Sequence, residues 1–262
     1  MKVVLFCGGQ GMRLRDSAES APKPMVPIGY RPILWHIMKY YAHFGHTEFI
    51  LCLGHQAHTI KDYFLNYSEA LSNDFVLSKG GTSLQLLGSD IQDWKVTFVN
   101  TGLDVCVGQR LVAVRDHIGD DDVFLANYAD GLSDIDINAM IRYASDRDSV
   151  ACFAGVEPNG SFHVVESDEQ GRVHGIHNVA ASGIRINGGF FVLKREIFDY
   201  IHKGEELVEE PFQRLIEAGK LLVYHHDGFW ACMDTFKERQ QLVDLYSTGS
   251  APWTIWENGR KT

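Results

Sequence analysis

Residues 3–7, Val-Val-Leu-Phe-Cys, form an unbroken apolar run that stops at Gly8-Gly9-Gln10-Gly11. The run is too short for a helix and lacks the polar alternation of a half-exposed strand. It reads as a strand buried on both faces, which is the habit of parallel sheets covered by helices. Everything downstream must therefore supply crossover helices and further buried strands.

The rest of the first half does so. A helical pattern covers 32–44, with Pro32 in its first turn and Gly45 past its end. Strand patterns follow at 48–53, 95–99, 123–127 and 150–155, with helical patterns at 59–67, 109–117 and around 140–144. Asp134 or Asp136 can cap the last of these helices. Such alternation predicts right-handed βαβ units and a mostly parallel sheet. Ligands in such sheets bind beyond the carboxyl ends of the strands, so residues 8–14 and Asp130 should converge on one crevice. Beyond residue 160 the pattern changes: 162–166, 173–178 and 188–193 predict antiparallel strands. A helix near 209–218, a strand at 221–225 and a final helix at 236–246 complete the chain. Residues 70–92, broken by Gly80-Gly81, read as a hairpin or an excursion. With no linker or repeat, 1–262 is expected to be a single domain.

The formal charge of -10 argues against a nucleic-acid binder, which needs a basic surface. It leaves room for a local cluster, and Arg13, Arg15, Lys23 and Arg31 provide one. Five scattered cysteines without a CxxC pair predict reduced thiols and a cytoplasmic location. The first apolar run is too short for a signal peptide, and no stretch reaches the ~20 apolar residues of a membrane span.

A glycine turn after a buried strand lets backbone amides approach an anion. By itself it is equally a tight strand-to-helix turn. A dinucleotide fold would need a third glycine where Leu14 stands, and a P-loop would need Gly-Lys-Ser/Thr. Arg13 and Lys23 add the cations that grip phosphate, and Lys23 lies between the stiffening rings of Pro22 and Pro24. Asp130 reads either as a turn residue before Gly131 or as a functional carboxylate. Asp234 reads either as the cap of the last helix or as a second carboxylate.

The combination Gly9-x-Gly11-x-Arg13-Leu14, Pro22-Lys23-Pro24-Met25, Pro32-Ile33-Leu34-Trp35-His36, Gln109-Arg110-Leu111, Ala129-Asp130-Gly131, Ile186-Asn187-Gly188-Gly189-Phe190-Phe191 and Met233-Asp234-Thr235 resembles the sugar-phosphate nucleotidylyltransferase family over nearly the whole chain. The chain is most similar to members that use CTP. The resemblance implies an α/β fold: a Rossmann-like nucleotidyltransferase domain with a mostly parallel central mixed sheet and a small antiparallel subregion. It also implies a homo-oligomer and transfer of a nucleoside monophosphate, CMP from CTP, onto a phosphorylated acceptor with release of pyrophosphate. Arg13 and Lys23 match the catalytic cations. Gly8, Gly9, Gly11, Met12, Gln109 and Arg110 join them around the nucleotide. Asp130 and Asp234 match the carboxylates that hold Mg²⁺, a hard ion suited to oxygen ligands.

Met12 replaces a threonine of the glycine loop, and the other departures gather on the acceptor side: Asn178 stands at the acceptor lysine, and His163 stands at a glycine. The acceptor set is thus Asp130, His163, Asn178, Arg185, Asn187 and Gly188, with Arg185 a candidate for the missing charge and His163 or His177 for reading a different phosphate or phosphonate. Met12 and Asn178 also fit an alternative, a relative that binds nucleotide without turnover.

Overall fold

The computed structural model describes residues 1–9, 21–158 and 162–257. Strand β1 (Lys2–Phe6) opens the chain, and β2 (Pro27–Ile28) and β3 (Arg31–Pro32) form a tight hairpin that feeds α1 (Ile33–His43). There follow β4 (Glu48–Leu53), α2 (Ala57–Leu65), α3 (Glu69–Ser72), the hairpin β5 (Phe75–Ser78) and β6 (Ser83–Leu86), and β7 (Lys95–Asn100). Helices α4 (Val107–Ala113) and α5 (Arg115–Ile118) lead to β8 (Val123–Tyr128), β9 (Gly131–Ser133) and α6 (Ile137–Ser145). The remainder is β10 (Ala151–Val156), β11 (His163–Ser167), β12 (Val173–Asn178), β13 (Ile186–Asn187), β14 (Phe191–Lys194), α7 (Glu210–Glu217), β15 (Leu221–His226), β16 (Trp230–Cys232) and α8 (Phe236–Ser247).

Eight strands build the main sheet. Strands β7, β4, β1 and β8 lie side by side and parallel. Antiparallel β14 joins β8 to β10, and β15 runs parallel along β10. Short β13 pairs the carboxyl end of β10. Successive side chains of a strand point to opposite faces. In β1 this sends Val3 and Leu5 to one apolar layer, Val4 and Phe6 to the other. The first layer is closed by Ile33, Leu34 and Ile37 of α1 and Ile137, Met140 and Ile141 of α6. The second is closed by Leu111 of α4, Ile118 of α5 and Phe212 and Leu215 of α7. Both faces are covered, as the run at 3–7 requires.

The sequence expectations hold in outline, and three details differ. The helix expected at 109–117 is two short helices broken at Val114 (φ -104°, ψ 5°), beside β-branched residues that form helix poorly. The strand expected at 188–193 begins only at Phe191, because Gly189 (φ 78°) and Phe190 (φ 49°) turn left-handed. The buried Asn127 Oδ1 holds that turn by accepting from the Phe190 and Tyr128 amides, each at 2.9 Å. Asp136, rather than Asp134, caps α6 by accepting from Ala139 N at 2.9 Å.

The excursion at 70–92 contains the β5–β6 hairpin, and the buried Arg31 tethers it together with Lys39, which donates to Asp90 Oδ1 at 2.9 Å. Arg31 donates to Asp90 Oδ2 (2.9 Å) and Ser72 Oγ (3.2 Å) while lying over the rings of Trp35 and Tyr67.

Histidine 36 of α1 is wholly buried. Its Nε2 lies 3.1 Å from the Ile28 carbonyl, and its Nδ1 lies 3.4 Å from Trp253 Nε1. An indole N–H can only donate, which assigns the tautomer: Nδ1 accepts and Nε2–H donates to Ile28. Burial, abetted by nearby Arg31 and partly offset by the Ile28 bond, lowers the imidazole pKa to about 4. The unfolded chain therefore takes up this proton before the folded one does. Stability should fall as pH drops from about 6.5 toward 4, by about 3 kcal/mol for this group. Urea midpoints at pH 7.5 and pH 5 check it, and His36→Gln should flatten the slope.

Candidate active site

The first strand delivers Gly8 and Gly9 to the carboxyl edge of the sheet, where they line a cleft of about 290 Å³. Lys23, Tyr128, Asp130, Arg110 and Glu206 line the same cleft. Gly8 is required by contact: a Cβ there would meet Arg110 Nη1 at 2.1 Å. Gly9 is exposed, and a Cβ there would meet nothing within 4 Å. Gly11, Met12 and Arg13 lie outside the described residues.

Two distant carboxylates meet here because of one small ladder. β9 and β16 pair antiparallel with Gly131 opposite Cys232, and Met233 N donates to Asp130 O at 2.9 Å. Asp130 leads into one strand and Asp234 follows the other, so their side chains converge on Lys23. Lys23 Nζ donates to Asp130 Oδ2 at 2.6 Å and also to Asp234 Oδ1. Burial lowers the lysine pKa, and the two carboxylates more than offset it, so the net shift is upward and the ammonium stays charged. The Asp130 and Asp234 side chains are 28% and 37% exposed, which leaves the pair open to an entering ion.

Asp234 is not the helix cap. Thr235 caps α8, accepting from Glu238 N, and Glu238 Oε2 returns bonds to the Thr235 and Asp234 amides, 2.8 Å each. The Thr235-x-x-Glu238 spacing is a capping-box signature that sequence alone could have revealed.

Arg110 lines the cleft but spends its guanidinium on its own chain. Nη1 donates to Thr101 Oγ1 (2.7 Å) and the Gly102 carbonyl (2.9 Å); Nη2 donates to the Leu103 (3.0 Å) and Gly8 (3.2 Å) carbonyls. It thus fastens the glycine turn to the loop after β7. Gln109 points elsewhere, donating to the His202 carbonyl at 2.7 Å, and is not among the cleft-lining residues.

The acceptor candidates divide. Asn187 Oδ1 accepts from Gly189 N at 2.9 Å, and its Nδ2 reaches Tyr128 Oη at 3.5 Å, which sets it at the cleft edge. Gly188 is held by Trp230, whose Nε1 donates to its carbonyl at 2.8 Å. A Cβ on Gly188 would lie 3.1 Å from that nitrogen, and one on Gly131 3.8 Å. Trp230 therefore packs the Asn187 loop against the Asp130 loop. His163 and Asn178 face each other across the β11–β12 hairpin, and Asn178 Oδ1 accepts from Ala180 N at 2.9 Å. His177 sits 3.9 Å from Glu166 on the same hairpin. Arg185 does not offer a loose charge: it donates to the Gly155 and His226 carbonyls (3.1 Å each) and pairs with Asp227.

Tyr128, Glu206 and Trp230 escaped the sequence reading. Each belongs to the site through tertiary contact. All five cysteines are unpaired; burial raises the Cys7 pKa well above that of an ordinary thiol, and burial with Asp234 beside it takes Cys232 up to about 12, so neither is a ready nucleophile. A larger cavity, about 460 Å³, lies between β16 and α8, but its described walls contain no lysine or arginine to meet an anion.

A strand end, a glycine turn, an ammonium and two carboxylates thus meet at one sheet edge, a set of groups whose chemistry suits a phosphate. Residues 2–238 match the family model described as nucleotidyl transferase. The chain is 38% identical to the probable glucose-1-phosphate cytidylyltransferase of Bacillus subtilis (strain 168) over 258 residues, covering 98% of this chain and 100% of that one. It is also 38% identical to the glucose-1-phosphate cytidylyltransferase of Salmonella typhi, with the same coverage. Among solved structures, HddC from Yersinia pseudotuberculosis aligns with a TM-score of 0.67 at 20% identity, covering 94% of this chain and 99% of that one, and shares the fold. The chain belongs to the nucleotidyl transferase family. Among the described residues no helix is long and apolar enough to cross a membrane.

Arg110→Lys should destabilise the protein by about 2–4 kcal/mol, because one ammonium cannot satisfy the carbonyls that the guanidinium fork now serves. Urea denaturation at neutral pH measures it.

Proposed function

We propose that the protein transfers CMP from CTP to a sugar 1-phosphate, glucose 1-phosphate first among candidates, with release of pyrophosphate. The observation that carries this is the convergence of Asp130 and Asp234 on Lys23 beside Gly8 and Gly9. The 38% identity to named cytidylyltransferases over nearly the full chain supports the donor and acceptor.

The donor set suits a hard divalent ion: two carboxylates aimed at one cation, on a rim reached by solvent. Asp130 and Asp234 would hold Mg²⁺. When bound, the ion supplies charge neutralisation to the phosphates of the transition state. The chain's own groups do the rest. Amides of the glycine turn face the phosphates, and Arg13 and Lys23 offset charge building at the α-phosphate as an acceptor oxygen attacks. Arg110 acts at one remove by holding the glycine turn. Asn187 and Gly188, fixed by Trp230, orient the acceptor, and Gln109 has no assigned contact with it. Catalysis of this kind is positioning and electrostatics.

A cytoplasmic location fits the five unpaired cysteines. Homo-oligomerisation fits the apolar side chains exposed on the β5–β6 and β11–β12 hairpins, such as Leu77, Leu84, Val165 and Ile176.

Incubation with each nucleoside triphosphate and glucose 1-phosphate, read by pyrophosphate release and product mass, tests the reading. CTP should be preferred; binding of CTP without turnover on any sugar phosphate would favour the non-catalytic alternative. Asp130→Asn and Asp234→Asn should each lower kcat by about 10²-fold or more while the folded circular-dichroism spectrum persists. Asn178→Lys should raise kcat/KM for glucose 1-phosphate about tenfold, the worth of one charge-assisted hydrogen bond. An unchanged value would remove residue 178 from the acceptor site.

A further inference from the structure

Lys23 does something at rest that the transfer reaction does not ask of it. Its ammonium sits between the two carboxylates assigned to the divalent ion, bonded to both. We propose that Lys23 is the resting occupant of the cation position, and that it yields only to a metal ion arriving with the triphosphate, so that metal and nucleotide bind as one unit. This rests on the reading of Asp130 and Asp234 as the metal pair.

Charge balance is the first argument. With Lys23 in place, the cluster of two carboxylates and one ammonium carries one net negative charge instead of two. An ion entering alone must displace an ammonium that is 15% exposed, and the displaced charge then needs a partner. The described cleft offers none ready. The other carboxylate lining it, Glu206, accepts from the Val107 (3.1 Å) and Leu207 (2.9 Å) amides. A triphosphate solves both problems, giving oxygens to the ion and to the ammonium.

The second argument is mechanical. Pro22 and Pro24 flank Lys23 in a short 3-10 turn spanning Lys23–Met25, with Pro22 held at φ -65° and ψ 148°. The backbone is stiff, and the four-carbon arm is not. Lys23, Gly8 and Gly9 line one cleft, so rotation of the side chain alone carries the ammonium from the carboxylates toward the glycine turn. By linkage, ion and nucleotide must then strengthen each other's binding equally.

The test is Mn²⁺ binding to the full chain, followed by electron paramagnetic resonance, with and without a non-hydrolysable CTP analogue. Without nucleotide, Lys23→Met should bind Mn²⁺ about tenfold more tightly than the wild type, and Lys23→Arg no more tightly. Mn²⁺ alone should raise the melting temperature of Lys23→Met and not that of the wild type. Adding the analogue should raise wild-type affinity and erase the variant's advantage. Lys23→Gln gives the same comparison if Lys23→Met folds poorly. Equal Mn²⁺ affinity of wild type and both neutral variants, without nucleotide, overturns the exchange. The parent reading fails separately: if Asp130→Asn and Asp234→Asn bind Mn²⁺ with the analogue as the wild type does, those residues are not the metal pair.

Discussion

A two-stranded ladder of three residue pairs, β9 with β16, sets the geometry of the candidate site. It is not part of the main sheet. Yet the Met233–Asp130 backbone bond brings together two carboxylates that lie far apart in the sequence. Lysine 23 then closes the arrangement from a third segment. The main sheet, with its two covered faces, supplies a rigid edge; the ladder decides what stands at that edge.

Negative charge is managed locally. The chain as a whole carries -10, and its site is itself built from acids. What makes it receptive to phosphate is the placement of a few cations, each restrained differently. Lys23 is tied to carboxylates, Arg110 to backbone carbonyls, and Arg185 to two carbonyls and Asp227. Only the first is held by partners that a ligand could replace in kind. A guanidinium serving four carbonyls is architecture, since leaving those oxygens dry and unpaired would cost more than a phosphate contact returns.

Much of this was legible beforehand. Buried parallel strands announce themselves as short apolar runs, and the β1, β4, β8 and β10 runs did. Gly8, Lys23, Asp130 and Asp234 were readable because glycine, lysine and aspartate were found at motif spacing. Direction was not readable. Sequence names a long cationic side chain without saying where its tip goes, so Arg110 and Arg185 were expected to face ligands and were found folded onto their own backbone. The left-handed pair Gly189 and Phe190 was equally hidden, because the residue that enforces it, Asn127, lies on another strand. Tyr128 enters the cleft, and Trp230 braces the loops beside it, through packing alone.

The bond between Trp253 and His36 reaches beyond stability. Trp253 is fully buried, and it sits against the first helix of the chain. Domains begin to form while still emerging from the ribosome, amino-terminal parts first. Here the earliest helix waits for a plug that is translated some two hundred residues later. Until then the His36 side of that helix has no cover, although its other apolar residues can already pack on the sheet.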